Sequence, residues 1–94
     1  MNLDEILNKL KEHEGKSICI IKRGFYSTNM FEDKKKISKY SMKDVENLIP
    51  KEDDIENCFC ETWMFRSTYI DITGNDFYWN IIIADDDATL DCLL

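Results

Sequence analysis

Few residues in this 94-residue sequence have the chemistry of a catalytic site. His13 is the only histidine, and glutamates flank it near the end of a predicted helix. A histidine there is typical of a solvated side chain that interacts favourably with the helix C-terminus. A Cys–His nucleophile pair is the catalytic alternative, but the cysteines fall in apolar strand patterns, where a thiol is inert. We therefore expect no catalytic residues and no enzymatic activity.

The cysteines allow a metal site or a disulfide framework but favour neither. Cys58 and Cys60 form a C-x-C pattern, whereas zinc ligands are typically spaced C-x₂-C. Residues i and i+2 of a strand share a face, so a metal site with Cys19 or Cys92 is the alternative to two small side chains packed against a helix. No secretion-signal pattern precedes them. We expect four reduced, metal-free thiols, no cofactor and a cytoplasmic location.

Acidic residues could also bind a cation or transfer protons. Asp85, Asp86 and Asp87 lack the alternating ligands and central glycine of a calcium loop, so a solvated, helix-capping turn is the favoured interpretation. Glu61 and Asp71 are the candidates for paired acid–base carboxylates. Exposed acids on strand faces are common, and we assign these two no catalytic role.

The N-terminal half predicts a helix, a strand and a second, shorter helix. Asn2 and Glu5 have capping-box spacing, and an apolar stripe predicts a helix over residues 3–13. Residues 17–22 predict a buried strand. A turn at Arg23-Gly24 would lead into a second strand at 25–30, followed by a polar, basic connection over 32–40. Ser41 begins a short amphipathic helix that stops at Pro50, and residues 51–54 form a loop.

The C-terminal half predicts three strands. Residues 58–65 carry alternating aromatics, with Phe59, Trp63 and Phe65 on the face of Glu61. Residues 68–73 and 76–84 flank Gly74-Asn75, a good hairpin signal, and a final turn follows. We expect a single α+β domain over residues 1–94, with a mostly antiparallel sheet of four to five strands and two helices packed on one face. No apolar run is long enough to cross a membrane.

Charge is the most informative feature of the sequence. Residues 1–51 hold eight acidic and eleven basic residues, a net charge of +3, whereas residues 52–94 hold eleven acidic residues and one basic residue, a net charge of −10. The basic part clusters at Lys34, Lys35, Lys36, Lys39 and Lys43. An acidic surface repels nucleic acid and attracts basic protein grooves. Solubility alone is the alternative explanation for these acids.

Three hypotheses follow for the function. The first is a small acidic protein that inhibits a nucleic-acid-handling enzyme by occupying its basic groove, as nuclease-immunity proteins and phage anti-defence proteins of the anti-CRISPR kind do. The likeness is one of size and charge, without a shared motif. The second is an interaction module with exposed aromatic anchors, namely Tyr69, Tyr78, Phe25 or Tyr26, and the third is a small hydrolase. We predict that the partner contacts are made by Glu52, Asp53, Asp54, Glu56, Asp85, Asp86 and Asp87.

Overall fold

The computed structural model of the protein describes residues 1–26, 29–75 and 77–94. Five strands there form one sheet in the order β2-β1-β5-β4-β3, and every neighbouring pair is antiparallel. The strands are β1 (Ser17–Tyr26), β2 (Asn29–Ile37), β3 (Ile55–Thr62), β4 (Thr68–Gly74) and β5 (Phe77–Ala84). The helices are α1 (Leu3–Glu12), α2 (Met42–Val45) and α3 (Asp87–Leu93). The predicted α+β class and antiparallel sheet are confirmed.

The larger core lies on the face of the sheet that packs against α1 and α2. Alternation along β1 and β5 directs Ile18, Ile20 and Ile81 to that face. Ile6 of α1 is completely buried against them. The predicted capping box of α1 is present, since the backbone N–H of Glu5 donates to Asn2 and that of Asn2 to Glu5.

The opposite face carries a smaller core under α3. Leu90 packs there with Cys19, Ile21, Ile82 and Ala84. The prediction had two helices, both on one face, and it is not confirmed: three helices are described, and α3 packs on the other side. The predicted final turn is a full helix because Asp86 caps it, accepting a hydrogen bond from the backbone N–H of Thr89 at 2.7 Å.

The first predicted hairpin was misplaced. β1 continues through Arg23 and Gly24, and much of the predicted polar connection, residues 32–40, belongs to β2. β2 is an edge strand, and lysines on an edge strand disfavour pairing with other chains. Because its sequence is mostly polar, β2 lacks the alternating apolar pattern that predicts a strand.

The start and end of β3 also differ from the prediction of 58–65. The strand begins at Ile55 and ends at Thr62, because Trp63–Ser67 forms a tight turn in which the N–H of Trp63 donates to the carbonyl of Ser67 at 2.9 Å. Phe65 and Arg66 in this turn have φ of 59° and 58°. The hairpin of β4 and β5 is confirmed, with Thr68 opposite Ile83 and Thr73 opposite Tyr78; Asp76 lies outside the described residues.

Within the described part of the chain, no helix is long and apolar enough to cross a membrane.

Candidate functional site: an acidic edge beside exposed aromatics

The two edges of the sheet carry opposite charge. β2 is one edge strand and presents exposed Lys34, Lys35 and Lys36. β3 is the other edge strand, four strand spacings or roughly 19 Å away. It carries what we call the acidic edge, which comprises Glu52, Asp53, Asp54, Glu56 and Glu61. The charge asymmetry of the sequence therefore becomes a separation of charge across the sheet.

The acidic edge is exposed and fixed to the frame of the sheet. Glu52–Asp54 form a 3₁₀ turn immediately before β3, and all five carboxylates are exposed. The turn lies against the hairpin of β4 and β5, where a Cβ on Gly74 would be only 2.7 Å from the carbonyl oxygen of Asp54. Glycine is therefore needed at 74 for this close approach. The four ion pairs among the described residues do not include any acid of this edge.

The structure does not bring the predicted contact residues together. Glu52, Asp53, Asp54 and Glu56 lie where Ile55 pairs with Gly74, whereas Asp85 follows Ala84, at the other end of β5. The length of β5, roughly 23 Å, separates the two groups. Sequence position alone does not reveal that the two acidic segments are at opposite ends of the sheet.

The second predicted group comprises Asp85, Asp86 and Asp87. These side chains are exposed, but they make contacts within the fold. Asp85 pairs with Lys16 at 3.2 Å, and Asp86 caps α3. Asp87 accepts hydrogen bonds from the hydroxyls of Ser17 at 2.5 Å and Ser38 at 2.6 Å. These bonds lower the pKa of Asp87, and the bond from the N–H of Thr89 lowers the pKa of Asp86. Asp86 therefore forms the helix cap that was predicted, whereas Asp85 and Asp87 contact Lys16, Ser17 and Ser38 and are not simply solvated.

Beside the acidic edge, on the α3 side of the sheet, lies what we call the aromatic–acidic surface, formed by Phe59, Glu61, Trp63, Tyr69 and Asp71. Trp63 and Tyr69 stack with ring centroids 4.0 Å apart and planes inclined by 7°. The indole Nε1 of Trp63 donates to Glu61 at 2.9 Å. Register places Glu61 opposite Tyr69 and Phe59 opposite Asp71. Exposed aromatic rings are thus held beside carboxylates.

A polar network continues this surface towards β1. Nδ2 of Asn80, which is buried, donates to the Tyr69 hydroxyl at 2.7 Å and to Asp71 at 3.1 Å. Arg23 donates to Asn80 and, at 2.7 Å, to Glu32. Burial first, and then the charge of Asp71, raises the pKa of Tyr69 to about 12, so this hydroxyl stays protonated at neutral pH. The network holds Tyr69 in place. Its hydroxyl is not an ionised nucleophile.

Of the anchors predicted from sequence, Tyr78 is exposed and Tyr69 is half-buried. The side chains of Phe25 and Tyr26 lie outside the described residues. The position of Phe59 and Trp63 on the same strand face as Glu61 was predicted from the sequence. The contributions of Arg23 and Asn80 were missed, because the pairing of β1 with β5, which brings Arg23 to Asn80, was not predicted from the sequence.

His13 is partly buried rather than solvated, and its Nε2 lies 3.4 Å from the Thr68 hydroxyl. Burial, and then the charge of Lys16, lower its pKa. All four cysteines are free thiols. Across residues 1–26, 29–75 and 77–94, no group of three or more His, Cys, Asp or Glu side chains could hold a metal ion. Comparison with protein-family models, curated proteins and solved structures finds no match.

Proposed function

We propose that this chain is a small, non-catalytic binding protein that inhibits a nucleic-acid-handling enzyme by occupying its basic groove. The observation that carries the proposal is the acidic edge: five exposed carboxylates, fixed along one edge of the sheet, without an ion pair in the described part of the chain. Complementary charge accelerates encounter and orients the approach. The opposite, lysine-bearing edge would point away from a basic partner.

The aromatic–acidic surface supports a protein partner rather than a nucleic acid. An arginine can stack on an exposed ring and pair with a carboxylate at the same time. Trp63 and Phe59 offer rings beside Glu61 and Asp71. Phosphates would meet repulsion from a region whose net charge is −10. We therefore extend the predicted contact residues to this surface. Asp85, Asp86 and Asp87 contribute mainly through long-range electrostatic attraction.

A second candidate is an interaction module that binds through apolar contacts. It is favoured by a run of three exposed apolar side chains, Trp63, Met64 and Phe65. Phe65 has a positive φ, a backbone conformation that non-glycine residues rarely adopt. The two candidates differ in their salt dependence, since ion pairs at a rim are screened by salt and apolar contacts are not.

The test is capture of proteins from a nuclease-treated bacterial lysate on the immobilised protein. A variant combining Glu52→Gln, Asp53→Asn, Asp54→Asn and Glu56→Gln removes charge without changing side-chain size. We expect salt to release a basic nucleic-acid enzyme from the wild type, and the variant to bind it at least about tenfold more weakly. The wild-type protein should inhibit the purified enzyme, whereas the variant should not.

The matched control is Lys34→Gln with Lys35→Gln on the opposite edge, which should retain binding. If the control loses the partner while the acid-to-amide variant keeps it, the acidic edge is not the contact surface. A partner that resists high salt and is lost in Trp63→Ala would establish the apolar module instead.

A further inference from the structure

A cleft lies on the α1–α2 side of the sheet and shares one residue, Asp54, with the acidic edge. It encloses about 470 Å³ between the segment 47–51 and the strands β1, β4 and β5. Binding sites for small molecules commonly fall between about 300 and 1,000 Å³. The lining includes Lys22, Asn47, Lys51, Asp54, Phe77 and Trp79. The volume is therefore in the range of a site for a small molecule.

One ammonium group and two aromatic rings define the chemistry of the cleft. Nζ of Lys22 lies 5.0 Å from the ring centroid of Phe77 and 5.4 Å from that of Trp79. Phe77 is itself held by an edge-to-face contact with Phe31, at 5.6 Å between centroids. The rings partly compensate for the water that Lys22 loses on becoming half-buried.

Lys22 has no carboxylate partner among the described residues, since none of their ion pairs includes it. Lys51 also lines the cleft, and Lys35 lines a second, smaller cavity of about 170 Å³ that Lys22 lines as well. Among the described lining residues, these three lysines exceed the two aspartates, Asp54 and Asp33, by one charge. In a chain whose net charge is −7, this is a local excess of positive charge.

We propose that this cleft binds a small planar anion of the aromatic carboxylate class. The flat ring would pack against Phe77, which is partly exposed, at the edge of the buried Trp79, and the carboxylate would pair with Lys22. A ring alone would leave Lys22 without an ion-pair partner among the described residues, and a small anion alone would leave the exposed part of Phe77 uncovered. This proposal does not depend on the proposed inhibition of a partner enzyme, because the cleft and the aromatic–acidic surface lie on opposite faces of the sheet and the cleft shares only Asp54 with the acidic edge.

The test uses naphthoate, its uncharged isostere naphthamide, and acetate, each titrated into the isotopically labelled protein and followed by proton–nitrogen NMR correlation spectra. We expect saturable shifts for naphthoate at Lys22, Gly74 and the indole of Trp79. Naphthamide should bind about tenfold more weakly or worse, which corresponds to about 1.4 kcal/mol, and acetate should not saturate.

Lys22→Met keeps an unbranched apolar stem and should weaken naphthoate binding at least tenfold, whereas Lys11→Met, at an exposed position on α1, should leave it unchanged. The wild-type comparison of the two isosteres holds even if Lys22→Met is unstable. Equal affinity for naphthoate and naphthamide, shifts that map away from the cleft, or no saturation by naphthoate would each overturn the proposal.

Discussion

The carboxylate of Asp87 accepts a hydrogen bond of 2.5 Å from the hydroxyl of Ser17, seventy residues earlier in the chain. The contact joins the start of β1 to the first turn of α3, and a bond of 2.6 Å from Ser38 adds the segment that follows β2. Ser17 is buried, so its hydroxyl depends on this carboxylate. An acid predicted to contact a partner thus fastens three segments of the fold.

Asp87→Ala should therefore lower the midpoint of thermal unfolding more than Ser17→Ala does. The first change leaves a buried hydroxyl without its acceptor, whereas the second leaves an exposed carboxylate that water can solvate. Circular dichroism during heating measures both midpoints. Asp53→Ala, at an exposed acid of the acidic edge, is the control and should change little. Equal midpoints for Asp87→Ala and the wild type would contradict the assigned role.

The stabilising effect of Asp87 should also depend on pH. Its folded-state pKa is lowered from the ordinary value of 3.8 by the bonds from Ser17 and Ser38. A carboxyl whose pKa is lowered by folding contributes stability above the ordinary value, and this contribution is lost as the pH falls through the folded-state value. The difference in unfolding midpoint between the wild type and Asp87→Ala should therefore be constant near neutrality and shrink below about pH 4. A difference that grows on acidification would rule this out.

His13 should titrate below 6.5, its ordinary value, because burial and then Lys16 disfavour its charged form. As the only histidine, it gives a single imidazole NMR titration. Its contribution to stability should be complete above about pH 6.5 and lost as the pH falls through the folded-state value. Lys16→Met should raise the measured pKa, while Lys43→Met on α2 should not. A pKa above 6.5 would restore the solvated interpretation.

Replacing Ile81 with alanine should lower the free energy of unfolding by about 2–5 kcal/mol, because its side chain is completely buried in the larger core. Chemical denaturation with urea gives this free energy. Met30→Ala, at a side chain that is 72% exposed, should stay within about 0.5 kcal/mol of the wild type. Similar losses at both positions would mean that the sheet faces are misassigned.

The four thiols should differ in alkylation rate. Cys19 is fully buried and burial raises its pKa, so it should react only when the protein unfolds. Cys92 is exposed and should react first. Intact mass after timed alkylation counts the modified thiols, and peptide mapping locates them. Four thiols alkylated after denaturation, without bound zinc, would agree with the reduced, metal-free state. A mass deficit of two or four daltons would indicate disulfides.

Local features of the chain were predictable because they depend on neighbouring residues. The capping box at Asn2 and the apolar spacing from Leu3 to Leu10 define α1 over a few turns. Alternation along β4 and β5 placed Ile70, Ile72 and Ile81 in the core. The charge asymmetry between the two halves was likewise evident from the composition of each half alone.

Only the tertiary structure decided where the acidic residues lie relative to one another and to the lysines. β2 carries no apolar alternation, so its role as an edge strand, and hence the distance between the lysine-bearing and acidic edges, emerges only when the sheet assembles. Asp87 contacts Ser17 because Ser17, at the start of β1, pairs with Ala84, at the end of β5. These residues are far apart in the sequence. A sequence pattern records the composition of each segment. It does not record which segments become neighbours, and hydrogen bonds act only between neighbours in space.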